Sequence, residues 1–235
     1  GSLAILAPPK IVSAGAQQVV LFIPGFCSFE CTTSNPTFDS VTRAQETFSY
    51  FTSTLTGRQL VASNYSKYWR QTQYYQGRDT WVSLEELADL LDNQISYLRE
   101  RFGRTVSIDI IGHSLGGAVA TFWAAKGRSG NVASVHSIVT LDSPLKGLNW
   151  QWALIANMGC PLQCAPVIRD LMSSPSHAIM ELGASKIDIY NVGNRRDPLI
   201  FPQHSILNNA RGALLLDYRC ECPSDAYGHG SVLVS

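Results

Sequence analysis

The sequence has no excess of charge of either sign. Its 235 residues contain 18 lysines and arginines against 18 aspartates and glutamates, and charged residues make up only 15% of the chain. Proteins that bind nucleic acid or an anionic membrane surface usually carry a basic excess. The balance therefore gives no electrostatic case for either partner.

The chain also lacks a long apolar run and a metal-binding cysteine pattern. No apolar stretch approaches the roughly 20 residues of a transmembrane helix, and no basic, apolar leader stands at the start. The chain has an even number of cysteines, and we expect them to form disulfides in an oxidising compartment. This predicts a secreted protein whose leader has been removed. The spacing of the cysteines leaves the disulfide pairing open. The six cysteines form three close pairs without Cys-x-x-Cys spacing: Cys27/Cys31, Cys160/Cys164 and Cys220/Cys222.

Apolar strand patterns alternate with helical ones along the chain. The helix that begins near Ser83 has a capping box with Glu86 and stops at Gly103. The alternation predicts a single α/β domain over residues 1–235, with a mostly parallel central sheet and helices on both faces. Strands are predicted at 18–23, 60–62, 106–111, 137–141, 187–192 and 213–216, and helices at 38–55, 83–102 and 118–125.

A Gly-x-Ser-x-Gly pentad, residues 112–116, stands between a predicted strand and a small-residue helix. A Cβ at Gly112 or Gly116 is expected to collide with a neighbouring strand or helix, so the glycines allow a sharp, strained turn. Such a turn lifts the Ser114 hydroxyl clear of the sheet, in front of the positive end of a helix. The context favours a nucleophile over a structural Gly/Ser turn.

Two segments show no regular pattern. Residues 64–81 are rich in tyrosine and tryptophan, which favours aromatics packed on the domain surface over a stacking platform for sugars. Residues 148–183 contain apolar residues, prolines and one cysteine pair, and are predicted to be irregular.

The run Gly-His-Ser-Leu-Gly-Gly at residues 112–117 resembles the nucleophile elbow of the α/β-hydrolase family, lipases in particular. The resemblance implies the α/β-hydrolase fold and a serine hydrolase that cleaves carboxylic esters through an acyl-enzyme. It also implies an acid and a histidine that follow the serine in the order Ser, Asp/Glu, His. Residues 148–183 stand where related lipases insert a lid or cap; ordinary core packing is the alternative.

The base is expected in a loop after the last strand. His229 lies there, between two glycines that let the chain turn inward. The other histidines all come before the last strand: His113, His136, His177 and His204. For the acid, the turn Asp197-Pro198-Leu199 resembles the acid-bearing turn of many hydrolases of the family. Asp142 is the alternative, at a position that some lipases use, or it is a turn-former at a strand exit. Asp197 has its own alternative as a surface partner of Arg195 or Arg196.

Two backbone donors are expected to hold the developing oxyanion. One is the Leu115 N–H at the start of the helix. The other is the Phe26 N–H, by resemblance to lipases with a His/Pro-Gly-hydrophobic turn, in which Pro24 replaces the more familiar histidine. The implied protein is a monomeric, secreted lipase or esterase that takes an acyl ester or lipid, touches lipid only transiently, and needs no cofactor or metal. An acyltransferase or thioesterase on the same triad, and an inactive hydrolase-like binding protein, are the alternatives.

Overall fold

The structure is a computed structural model in which a central sheet and the helices that pack on it are described. It describes residues 17–26, 55, 57–63, 65–66, 77–127, 129–148, 166–197 and 200–217.

Within the described residues, six parallel strands form the sheet, in the order β2-β1-β3-β4-β5-β6. The order reverses at β1, because the chain adds β2 on one side of it and β3 to β6 on the other. In open α/β sheets a ligand binds outside the carboxyl ends of the strands at such a reversal. The strands are β1 (Gln18–Ile23), β2 (Gln59–Ala62), β3 (Ser107–His113), β4 (Val135–Leu141), β5 (Asp188–Asn194) and β6 (Gly212–Leu216).

The described helices all contribute to one face of the sheet. Val19, Leu21 and Ile23 of β1 face them in the main core, while Val20 and Phe22 belong to a second buried cluster on the opposite face. Burial on both faces explains why the central strands read as continuous apolar runs. The helices are α1 (Leu84–Phe102), α2 (Leu115–Lys126), α3 (Ser129–Val132), α4 (Pro166–Leu171) and α5 (Ser174–Gly183).

Helix α1 confirms its predicted ends. The Ser83 hydroxyl accepts a hydrogen bond from the Glu86 amide (3.2 Å), and Gly103 ends the helix with φ 94°. The helix predicted at 38–55 lies outside the described residues, apart from Leu55, which packs against the second cluster. Within the described ranges, no helix combines the length and apolarity needed to cross a bilayer.

The prediction of an irregular chain over 148–183 is wrong for residues 166–183, which form α4 and α5. Both helices are short, so their apolar periodicity is weak, and their prolines stand in the first turn, where proline starts a helix. Ser173 caps α5, and Met180 is fully buried in the core. Residues 149–165 lie outside the described ranges, and the lid remains a prediction there.

Candidate active site

Ser114 stands at the sharp turn between β3 and α2. Its backbone has φ 51° and ψ −121°, outside the regions that L-residues normally occupy. A conformation of this kind costs of order 1–3 kcal/mol and persists only where the surroundings impose it. The Ser114 amide donates a hydrogen bond to the carbonyl oxygen of Leu141 (2.8 Å), which fixes the turn to the end of β4. The side chain is half-buried rather than enclosed.

The glycines around Ser114 permit close backbone contacts. A Cβ at Gly112 would lie 2.5 Å from Gly117 Cα, and a Cβ at Gly116 would lie 2.1 Å from the Ile23 carbonyl oxygen. The expected collisions at 112 and 116 are therefore confirmed. Gly117 is a third such position, because its Cβ would lie 2.0 Å from Ser143 Oγ. The sequence gives no signal for this contact, which joins α2 to the exit of β4.

Helix α2 begins at Leu115, three residues earlier than its predicted start. Leu115 to Ala124 are all buried, which agrees with a helix that carries no charge before Lys126. The first amides of a helix have no partner within it, and the helix dipole makes this end attractive to negative charge. The amide of Leu115, the predicted donor, lies in this first turn of the helix.

The second predicted donor, Phe26, follows β1. Ile23 pairs with Gly112 in the sheet, so the exits of β1 and β3 are neighbours. Phe26 is half-buried and its side chain packs against the main core. The Tyr65 hydroxyl donates a hydrogen bond to the Pro24 carbonyl oxygen in the same turn (2.6 Å). The two predicted donors, Phe26 and Leu115, thus follow the ends of adjacent strands.

Asp142 lies directly after β4 and is fully buried. Its backbone has φ 41°, a left-handed conformation that Asp tolerates better than most residues. Its Oδ1 accepts a hydrogen bond from the Asn194 amide (2.6 Å), and its own amide donates to the Val192 carbonyl oxygen (2.8 Å). The carboxylate therefore joins the exits of β4 and β5.

Asp197 lies three residues after β5 and is only 4% exposed. Its amide donates to the Asn194 carbonyl oxygen (3.2 Å), and its Oδ1 accepts from the Ile200 amide (3.1 Å). Burial contradicts the alternative of a surface ion-pair partner. Arg196 instead contacts the exposed Asp217 (2.5 Å), and this hydrogen-bonded pair raises the pKa of Arg196 and lowers the pKa of Asp217.

The predicted base, His229, lies outside the described residues. Three other histidines are bound to local groups. His136, at the start of β4, contacts Asp109 (3.0 Å); His177 donates to the Leu171 carbonyl oxygen (2.8 Å); His204 donates to the Gly147 carbonyl oxygen (3.1 Å). His113 is buried at the end of β3. His136 is at the amino end of β4, whereas the serine turn bonds to Leu141 at the other end of this strand, so His136 lies far from Ser114.

The cysteines all lie outside the described residues, so the disulfides remain a prediction. Within the described residues, no group of three or more His, Cys, Asp or Glu side chains is arranged to hold a metal.

Several solved structures share this fold at low sequence identity. The mature Bacillus licheniformis lipase BlEst2 has a TM-score of 0.63 and 11% identity, over 97% of this chain and 91% of that one. Aspergillus fumigatus lipase B has a TM-score of 0.59 and 14% identity, over 95% and 52%. A structure from the metagenome-derived lipolytic enzymes LipS and LipT has a TM-score of 0.56 and 16% identity, over 88% and 86%.

These similarities show a lipase/esterase-like α/β-hydrolase fold. No curated protein shows significant sequence similarity to the chain. Residues 14–153, more than half of the chain, match the PGAP1-like alpha/beta domain family, and the chain therefore belongs to this family.

Proposed function

We propose that this protein is a serine hydrolase that cleaves carboxylic esters of lipids or related acyl compounds. The backbone of Ser114, with φ 51° and ψ −121° at a strand exit in front of a helix N-terminus, carries the proposal. A serine held in a costly conformation, half-exposed at the reversal point of the sheet, is typical of a nucleophile. In a turn with a purely structural role, a third glycine at position 114 would adopt this conformation without the strain that serine carries.

In the proposed mechanism, His229 removes the proton from Ser114, whose oxygen attacks the acyl carbonyl. The N–H groups of Phe26 and Leu115 hold the negative oxygen of the tetrahedral intermediate. His229 then gives the proton to the leaving alcohol, and an acyl-enzyme remains. Water, activated by the same histidine, attacks this ester and releases the acid and the free serine.

The spacing of the strands supports Asp197 as the acid that orients His229. Neighbouring strands are about 4.8 Å apart, so β5 lies roughly 10 Å from β3, and an imidazole fits between groups at their ends. Asp142 follows β4, the strand next to Ser114, and its Oδ1 already accepts the Asn194 amide. A carboxylate in that place leaves less room for a ring between acid and serine.

The substrate class is inferred from the fold relatives, which are described as lipases and lipolytic enzymes. The proposed substrate is therefore an acyl ester, taken by a monomer in solution or in transient contact with a lipid surface. The near-neutral composition suits an uncharged substrate better than a nucleic acid.

The decisive experiment is hydrolysis of nitrophenyl esters of increasing acyl length, from acetate to palmitate, by the unmutated protein and by Ser114→Ala. The variant should lose at least about 10⁴-fold in kcat, because no other group forms the acyl-enzyme. Ser185→Ala is the matched control, since this exposed serine only donates to the Leu182 carbonyl oxygen at the end of α5. It should retain full activity.

The proposal fails if the unmutated protein has no turnover, or if both serine variants turn over equally. Preference for short soluble esters identifies an esterase, and preference for long acyl chains identifies a lipase. Parallel assays with acyl thioesters, and with an added alcohol as acceptor, test the thioesterase and acyltransferase alternatives on the same serine.

Export is a separate part of the proposal and is supported by the three cysteine pairs. Thiol titration of the natively produced protein in denaturant should find no free thiol before reduction and six after it. Six free thiols before reduction would contradict an oxidising compartment.

A further inference from the structure

A buried hydrogen bond joins the exits of β1 and β2. The hydroxyl of Tyr65, three residues past the end of β2, donates to the carbonyl oxygen of Pro24, directly after β1, across 2.6 Å. The two residues are 41 positions apart in the sequence, and Tyr65 is only 3% exposed. The aromatic-rich segment therefore sends one of its members into the core, beside the turn that carries Phe26.

This hydrogen bond determines the direction of a peptide in the turn. The ring of Pro24 restricts its φ, and the bond from Tyr65 directs its carbonyl group. Because a peptide is planar, the direction of this carbonyl also sets the direction of the Gly25 N–H. From the other side, Gly116 of α2 approaches so closely that a Cβ there would lie 2.7 Å from the Pro24 oxygen.

Only one residue separates this fixed peptide from the Phe26 N–H. Gly25 has no Cβ and by itself permits a wide range of orientations for the peptide that follows it. The Phe26 side chain packs against the main core and holds the other end. We propose that Tyr65 is a positioning residue for the oxyanion site, acting through the Pro24 carbonyl to direct the Phe26 N–H. This role rests on the proposed hydrolase function.

The role predicts an effect on the transition state rather than on substrate binding. The carbonyl oxygen of a bound ester is neutral, and its full negative charge develops only as Ser114 attacks. A misdirected donor therefore lowers kcat and leaves KM nearly unchanged. An alkyl boronic acid forms a tetrahedral adduct with the serine, so its binding should weaken by the same factor as kcat falls.

The test is Tyr65→Phe, which keeps the buried ring and removes only the hydroxyl. Active sites are counted by complete reaction with a fluorescent phosphonate, so that kcat is expressed per functional site. We expect kcat per site to fall roughly 5- to 50-fold, with KM within about twofold and the boronic acid Ki raised by the same factor as the fall in kcat. Tyr190→Phe, a half-buried tyrosine of β5, is the matched control and should change none of these values.

A Tyr65→Phe variant with fewer titrated sites but unchanged kcat per site would show a purely structural role and overturn the inference. Unchanged kcat, KM and Ki would overturn it as well, while leaving the hydrolase function intact. Absence of Ser114-dependent turnover in the unmutated protein would overturn the proposed function and the role of Tyr65 with it. The Ser114 and Tyr65 variants thus distinguish failure of the proposed hydrolase function from failure of the Tyr65 role alone.

Discussion

The amide of Asn194 donates a hydrogen bond to Oδ1 of Asp142 across 2.6 Å, between residues that are 52 positions apart. Asn194 in turn accepts the Arg196 amide with its side chain (3.1 Å) and the Asp197 amide with its carbonyl oxygen (3.2 Å). The buried carboxylate of Asp142 therefore supports the turn on which Asp197 stands. The two acids that compete in the sequence are connected in the structure, with different local roles.

Replacement of each acid by its amide should separate these roles. Asp197→Asn should lower kcat by about 10³- to 10⁴-fold, because an amide no longer stabilises the charged histidine or holds its tautomer. Asp142→Asn should keep kcat within about fivefold, because Asn still offers an oxygen to the Asn194 amide and tolerates positive φ. Steady-state kinetics on a nitrophenyl ester, with circular dichroism as a check of folding, measures both. The reverse order of effects would make Asp142 the triad acid.

The Ser114→Gly variant should be more stable to unfolding than the Ser114→Ala variant. Both variants lack the nucleophile, but only glycine adopts φ 51° and ψ −121° without steric cost. Glycine also raises the conformational entropy of the unfolded chain, which offsets part of this advantage. The free energy of unfolding of Ser114→Gly should still exceed that of Ser114→Ala by about 1 kcal/mol. Urea denaturation of the two variants measures the difference. Equal stability would mean that the turn is relaxed in solution.

Gly116→Ala should damage stability and activity together. Its Cβ would lie 2.1 Å from the Ile23 carbonyl oxygen, and backbone cannot yield as a side chain does. We expect a loss of about 2 kcal/mol or more in the free energy of unfolding, and roughly 100-fold in kcat as the Phe26 turn moves. Gly130→Ala is the control, since its Cβ would meet only one side-chain atom, Nη1 of Arg99, at 3.3 Å and no backbone atom. Its stability should change by less than about 0.5 kcal/mol.

The pair Arg196–Asp217 should contribute a small, salt-sensitive stabilisation. Arg196 lowers the pKa of Asp217 below its ordinary 3.8, so the contribution is present above that pH and is lost as pH falls through the lower, folded-state value. Asp217→Asn should lower the melting temperature slightly at pH 7, and the difference should shrink as the pH falls below 3.8 and in about 1 M salt. Scanning calorimetry of both proteins measures this. A difference that survives high salt would point to packing instead of charge.

Local chemistry made much of this fold predictable. The strand at 18–23, the Ser83 cap and the Gly103 stop depend on residues close together in the chain, and all three are confirmed. The serine turn belongs to the same class, because the glycines at 112 and 116 are the condition for its geometry. The sequence does not predict helices α4 and α5, because their apolar faces are too short to show a helical period. Their inward face is identified only in the structure, where Met180 is buried in the core.

The sequence by itself determined that a serine stands on a strained turn between a buried strand and an apolar helix. The tertiary structure decided which distant groups surround that turn. Tyr65 meets Pro24, Asp142 meets Asn194, and Ser143 meets Gly117 only because parallel pairing brings the carboxyl ends of β2, β1, β3, β4 and β5 to one edge. Local preference acts over a few residues, whereas these contacts depend on strand order and register, which arise from burial of the whole sheet.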